Sequence, residues 1–137
     1  MDEGVDTGNI LLQKEIPLAE NEIATTLYDK VNQAHIELVA KCMQSMKEGN
    51  LEGQRQDESK ATYWPGRKPE DGRITSDMTV EEVDRLVRAT TRPYPGAFIE
   101  KEGDKIIIWA GKMEANETAI MKIPCRDGVY YATQIGN

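Results

Sequence analysis

Apolar positions between Asn21 and Lys47 recur at steps of three and four: Ile23, Leu27, Val31, Ala34, Leu38, Cys42 and Met46. That spacing places them on one face of a helix over 21–48, about seven turns long, with Gly49 behind Lys47 as its C-cap. Ahead of it, Ile10–Ile16 alternates weakly, which predicts a strand closed by Pro17. Met1–Asn9 reads as a loop in which Gly4 and Gly8 frame Asp6 and Thr7. The helical period is lost from Leu51 to Ile74, where Pro65-Gly66 and Pro69 punctuate an extended linker carrying Tyr63 and Trp64. Thr79-Val80-Glu81-Glu82 is a capping box. It opens a short helix with Val80, Val83 and Val87 facing inward, ending near Ala89. Arg92-Pro93-Tyr94-Pro95-Gly96 then forbids helix and turns the chain.

Four strand-like runs follow, Gly96–Glu100, Lys105–Ala110, Ala119–Ile123 and Val129–Gln134. Glu102-Gly103-Asp104 and Arg126-Asp127-Gly128 suit tight hairpins between them. Four strands need closure or packing to be stable. The fold class expected is α+β, ending in a β-rich module. Met43, Met46 and Cys42 read as core, Trp109 as a packed strand residue, Arg88 as structural and Pro93–Gly96 as a rigid corner.

Composition narrows this picture. The 137 residues, 39% hydrophobic and 30% charged, suit one soluble domain or a partial domain with a small second one. No apolar run approaches the roughly 20 residues a membrane span needs. The acidic start carries no signal peptide, so a cytoplasmic protein is expected. Cys42 and Cys125 lack metal-ligand spacing and read as two reduced, buried thiols; no metal site is expected. The net charge of −7 is uneven, with four Lys/Arg against nine Asp/Glu in residues 1–50. A nucleic-acid grip needs a basic surface. The nearest approach is Lys60–Arg92, seven basic residues against six acidic ones, which suits a small phosphorylated ligand better than a long polyanion.

Candidate chemistry is sparse. Asp6 between glycines fits a turn residue as well as a functional carboxylate. Tyr63, Trp64, Arg67 and Arg92 admit two readings. Aromatics that stack and arginines that grip phosphate make a ligand-facing set. Alternatively the aromatics pin the linker and the arginines pair with Glu70, Asp71 or Asp77. His35, the single histidine, reads as an ordinary helix residue.

Two stretches resemble one family. Met1-Asp2-Glu3-Gly4-Val5-Asp6-Thr7-Gly8-Asn9-Ile10-Leu11 is similar to the MDxGxDTGxI(L/M) loop of tetrahydrofolate-dependent formyltransferases, those acting on methionyl-tRNA or on aminosugar nucleotides. Tyr63, Arg67 and Pro69-Glu70-Asp71-Gly72-Arg73-Ile74, then Leu86-Val87-Arg88-Ala89 and Pro93-Tyr94-Pro95-Gly96-Ala97-Phe98, resemble that family's linker and C-terminal subdomain.

The resemblance implies a remnant of a Rossmann-like catalytic domain over 1–50, a linker over 51–78 and a small OB-like subdomain over 79–137. It implies formyl transfer from 10-formyltetrahydrofolate to a primary amine, through attack on the formyl carbon and a tetrahedral oxyanion. Such a step needs an oxyanion donor and a proton acceptor. Asp6 matches the family's catalytic Asp, which orients a His and a bound water. Asp2, Glu3, Gly4, Val5 and Thr7 would lie beside the pterin. Tyr63, Arg67 and Arg92 would meet the acceptor. The family's Asn-x-His motif is expected upstream of Met1, so this chain alone is expected to be inactive. An aminosugar nucleotide is the favoured acceptor and charged initiator tRNA the alternative. A non-catalytic docking or oligomerisation module, pairing through the apolar face of helix 21–48, is the other reading.

Overall fold

The structure, a computed structural model, describes residues 6–136. The expectations placed on Asp2, Glu3, Gly4 and Val5 therefore lie outside the described residues. The chain forms two compact units. One holds the described residues up to Leu18 together with Tyr28–Pro65, the other Ala19–Leu27 with Gly66 onward.

The first unit is built on helix α1 (Ala24–Lys47), whose opening turn belongs to the second unit. It ends as the glycine at 49 predicts. Gly49 takes φ +71°, its N–H reaches the Met46 carbonyl at 3.2 Å and the Asn50 N–H reaches Ser45 at 2.9 Å. This is the left-handed cap that satisfies the last carbonyls.

The expected inner face is only thinly covered. Ala34 is buried, while Leu27, Val31, Leu38 and Cys42 are half-buried. Met43 and Met46, expected in the core, are 52% and 55% exposed. At 100° per residue they join Tyr28, Ile36 and Val39 in a second stripe about 80° wide on the solvent side. The strand expected over Ile10–Ile16 is likewise absent. Only Ile10 pairs, in an antiparallel bridge with Gln54, because the rest of the run meets no partner strand among the described residues.

The second unit is a curled four-stranded antiparallel sheet with a helix on one face. Its strands are β1 (Ala97–Lys101), β2 (Asp104–Lys112), β3 (Met121–Cys125) and β4 (Gly128–Gly136), in the order β1-β2-β4-β3. Both predicted hairpins form. Glu102 and Gly103 both have positive φ, 56° and 93°, between the paired Lys101 and Asp104. This is the turn whose twist matches antiparallel strands. Cys125 and Gly128 close the other around Arg126-Asp127.

Helix α2 (Val80–Thr90) opens on the predicted capping box: the Glu82 N–H donates to the Thr79 hydroxyl and the Thr79 N–H to the Glu82 carboxylate. The Asp127 carboxylate accepts the Val80 N–H at 2.8 Å, tying the β3–β4 turn to the helix start. Val83 and Val87 project from α2 into a core of Ile74, Ala97, Ile108, Ile123, Tyr130 and Ala132. Each fully buried valine contributes roughly 1.5–3 kcal/mol.

The sheet curls at β2. Its register with β4 shifts between Ile108 and Ala110 and again between Ala110 and Gly111. An extra residue there bends the strand. Trp109 has no partner in the register, and its carbonyl instead accepts the hydroxyl of buried Thr91 at 3.0 Å.

Candidate functional site

The loop carrying Asp6 is held by its neighbours in the first unit. Ile10 and Gln54 exchange two backbone hydrogen bonds of 2.9 Å. Beside them Asn9 Nδ2 donates to the Gly53 carbonyl at 3.3 Å. Gly53 must be a glycine here, because a Cβ would sit 2.6 Å from Asn9 Cβ. Beyond this bridge the Gln56 side chain takes over. Its Nε2 donates to the carbonyls of both Asp6 and Gly8, each at 2.7 Å.

Asp6 itself is left-handed, with φ +59°. That conformation costs a non-glycine residue roughly 1–2 kcal/mol. Two hydrogen bonds of about 1 kcal/mol each are enough to offset it. Asp6, Gly8, Asn9, Leu11, Gln13 and Gln56 line an open groove, and Asp6 and Thr7 are exposed. This groove can present one carboxylate beside polar side chains. The sequence reading missed Gln56. Its signal was the pair Gln54 and Gln56 in a non-helical stretch, where alternate residues share a face.

The linker residues sit differently. Tyr63 and Trp64 are 87% and 89% exposed. In the second unit Arg67 reaches Asp71 twice, carboxylate at 3.5 Å and carbonyl at 3.4 Å. Arg92 stacks on the Trp109 ring, 4.7 Å from its centroid. Trp109 lies between Gly96 and Gly136, where a Cβ would come within 3.0 and 2.8 Å of the indole. The Thr25 hydroxyl donates to the Arg92 carbonyl, and Arg92–Pro93 is a cis peptide at the expected corner. The Asp71 contact is one of the pairings weighed for Arg67, whose side chain stays 70% exposed; Arg92 instead stacks on an indole.

A polar chain runs through the same unit. The Tyr130 hydroxyl donates to Asp84 at 3.4 Å, Arg88 pairs with Asp84 at 2.7 Å and donates to the Glu22 carbonyl at 2.9 Å. Arg88 is structural, as expected. Burial, then the neighbouring Asp84 carboxylate, pushes the Tyr130 hydroxyl far above the usual tyrosine range.

His35 is exposed on α1. Among the described residues no group of three or more His, Cys, Asp or Glu is placed to hold a metal. No helix among them is long and apolar enough to cross a membrane.

Residues 67–135, half of the chain, match the family model described as formyl transferase, C-terminal domain. Among solved structures, the chain is similar to HypX from Aquifex aeolicus in complex with tetrahydrofolic acid, at 18% identity and a TM-score of 0.75, over 98% of this chain and 25% of that one. It is also similar to methionyl-tRNA formyltransferase from Clostridium thermocellum, at 23% identity and a TM-score of 0.61, over 83% of this chain and 48% of that one. The chain thus spans about a quarter of HypX and about half of that formyltransferase.

Proposed function

We propose, because this chain belongs to the formyl transferase family through its C-terminal domain, that it serves formyl transfer from 10-formyltetrahydrofolate to a primary amine. Residues 1–50 would then close a Rossmann-like catalytic domain, residues 51–78 link, and residues 79–137 form an OB-like subdomain. The observation that carries this is the Asp6 loop, a left-handed carboxylate-bearing turn clamped at the mouth of an open groove.

In this reading the folate supplies carbon at the formyl level. The residues present fit one wall of its site. Asp6 offers a charge-bearing oxygen at the groove, and Gly8 brings the backbone close. Asp6 orients the imidazole that the family carries upstream, and so helps to place a proton acceptor for the attacking amine. From the family resemblance we carry over Asp2, Glu3, Gly4, Val5 and Thr7 as cofactor-binding residues; the first four lie outside the described residues. A HypX neighbour in complex with tetrahydrofolic acid supports folate as the cofactor class.

We favour an aminosugar nucleotide as acceptor. The net charge of −7 opposes a long polyanion. Exposed Tyr63 and Trp64 offer faces for a base. The contacts of Arg67 to Asp71 are long enough for a diphosphate to displace. Arg92, on its indole platform, adds a second guanidinium. Charged initiator tRNA is the alternative, and the methionyl-tRNA formyltransferase neighbour speaks for it. The chain is proposed to act in the cytoplasm and, by itself, to turn nothing over.

The test is formyl transfer by the full-length parent to a UDP- or TDP-aminosugar and to charged tRNA, with Asp6→Asn beside it. Transfer to tRNA alone sinks the sugar acceptor, and an unimpaired Asp6→Asn sinks the site. Activity of the purified 137-residue chain overturns its inertness. A docking or self-association role has one observation of its own, the exposed stripe of Ile36, Val39 and Met43 on α1. Sedimentation of Ile36→Lys/Val39→Lys tests it. Association that survives the charges rules that stripe out.

A further inference from the structure

We infer that Gln56 is a positioning residue for Asp6, holding the loop that presents its carboxylate; this rests on the reading of Asp6 given above. The geometry is specific. Ile10 and Gln54 pair in antiparallel register, and continuing that register would set Gly8 opposite Gln56. The backbone ladder stops instead. The Gln56 side chain replaces it, one amide nitrogen serving the carbonyls of Asp6 and Gly8 at 2.7 Å each. A carboxamide nitrogen has two N–H groups, and this arrangement uses both.

Gln56 is itself fixed on both sides. Gln54 is locked to Ile10 by two backbone bonds. Asp57 folds the following turn by accepting the Ser59 N–H at 3.1 Å and its hydroxyl at 2.7 Å. The side chain is half-buried, so its amide is shielded from competition with water more than an exposed one. What it clamps is, among the described residues of this loop, the one non-glycine with a left-handed backbone. Released, Asp6 relaxes to negative φ and its carboxylate leaves the groove. A displacement of about 1 Å at a reacting group costs on the order of a hundredfold in rate.

The experiment has two arms. Gln56→Glu keeps the shape and replaces the donors with acceptors that repel both carbonyls; Gln56→Ala guards against a folding defect particular to the charge. In this chain, the amide protons of Ile10 and Gln54, bonded to one another's carbonyls beside the clamp, exchange at least about tenfold faster in either variant, while β2 and β4 keep their protection. Unchanged exchange at that bridge overturns the clamp.

In the full-length parent, Gln56→Ala lowers kcat about tenfold to a hundredfold and leaves KM for the amine within about twofold. Combined with Asp6→Asn it costs nothing further, because it acts only through Asp6. Losses that multiply instead overturn the positioning role. A full-rate Asp6→Asn enzyme overturns the reading of Asp6, and the positioning role with it, whereas the exchange arm fails only if the clamp is wrong.

Discussion

Gly111 in β2 sits where a methyl group has nowhere to go. A Cβ there would lie 2.4 Å from Tyr130 Cε1, 2.6 Å from Cζ and 2.7 Å from the Tyr131 carbonyl oxygen. Carbon atoms rest at about 3.5–4.0 Å, so the overlap is on the order of 1 Å. The ring cannot retreat, because Tyr130 is fully buried against the α2 face of the sheet. Overpacking of this kind costs about 1–3 kcal/mol. Moving the ring also breaks the 3.4 Å bond from the Tyr130 hydroxyl to Asp84, which adds about 1 kcal/mol. Removing glycine from a strand returns about 0.5–1 kcal/mol. Gly111→Ala is therefore expected to destabilise by roughly 1–3 kcal/mol net. Urea unfolding followed by far-ultraviolet circular dichroism reads this directly, with Tyr130→Ala as the second corner of a double-mutant cycle. In the Tyr130→Ala background the ring clash is gone and only the 2.7 Å approach to the Tyr131 carbonyl oxygen remains, so the added methyl should cost less. A Gly111→Ala protein within about 0.5 kcal/mol of wild type, or an equal penalty in both backgrounds, refutes the argument.

Three further outcomes follow from the same unit and from α1. Tyr130→Phe is mildly destabilising at neutral pH. The raised hydroxyl pKa of the folded protein makes wild-type stability fall once pH passes the unfolded value near 10, by about 1.4 kcal/mol per pH unit. The phenylalanine variant escapes that loss, so unfolding from pH 9 to 11 should show the two curves converging and then crossing; parallel curves would count against a buried, titrating Tyr130. Thr79→Ala costs about 1 kcal/mol. The Thr79 N–H, then its hydroxyl, hold the Glu82 carboxyl below its usual range, and alanine removes only the hydroxyl, so the acid limb flattens in part. That contribution is present above the unfolded carboxyl pKa and lost as pH falls through the lowered one, so an acid limb unchanged in Glu82→Gln would exclude the box as its source. Met43→Ala changes stability by less than about 0.5 kcal/mol, where a core methionine would cost about 2–5 kcal/mol; thermal melts separate the two.

The second unit was largely legible in its residues. Thr79 and Glu82, spaced three apart, announce their reciprocal bonds, and Glu102-Gly103 sits where a strand must reverse. These are local signals, decided within four or five residues. The first unit was less legible for two physical reasons. Ile10–Ile16 alternates, but alternation describes a strand only when another strand lies alongside it, and pairing is a tertiary fact. The apolar positions of α1 fall on two stripes, and periodicity cannot say which is covered. The β2 bulge was invisible because Trp109 is a good strand residue inside the unbroken apolar run Ile106–Ala110. At the shift, Thr91 takes the Trp109 carbonyl from across the fold. Gln56 escaped for a related cause, since a glutamine shows its partners only once the loop it clamps is beside it.

Pro124 lies inside β3, opposite Val129, on an outer strand of the sheet. Proline has no N–H to give a further strand. At the opposite margin the Ile74 N–H already occupies the Phe98 carbonyl of β1 at 2.7 Å. An open four-stranded sheet would otherwise offer two templates for strand addition. Both are blunted here, one by a missing donor and one by a borrowed partner. The sheet can stay open, uncapped by further strands, and still resist edge-to-edge aggregation while the chain is being made.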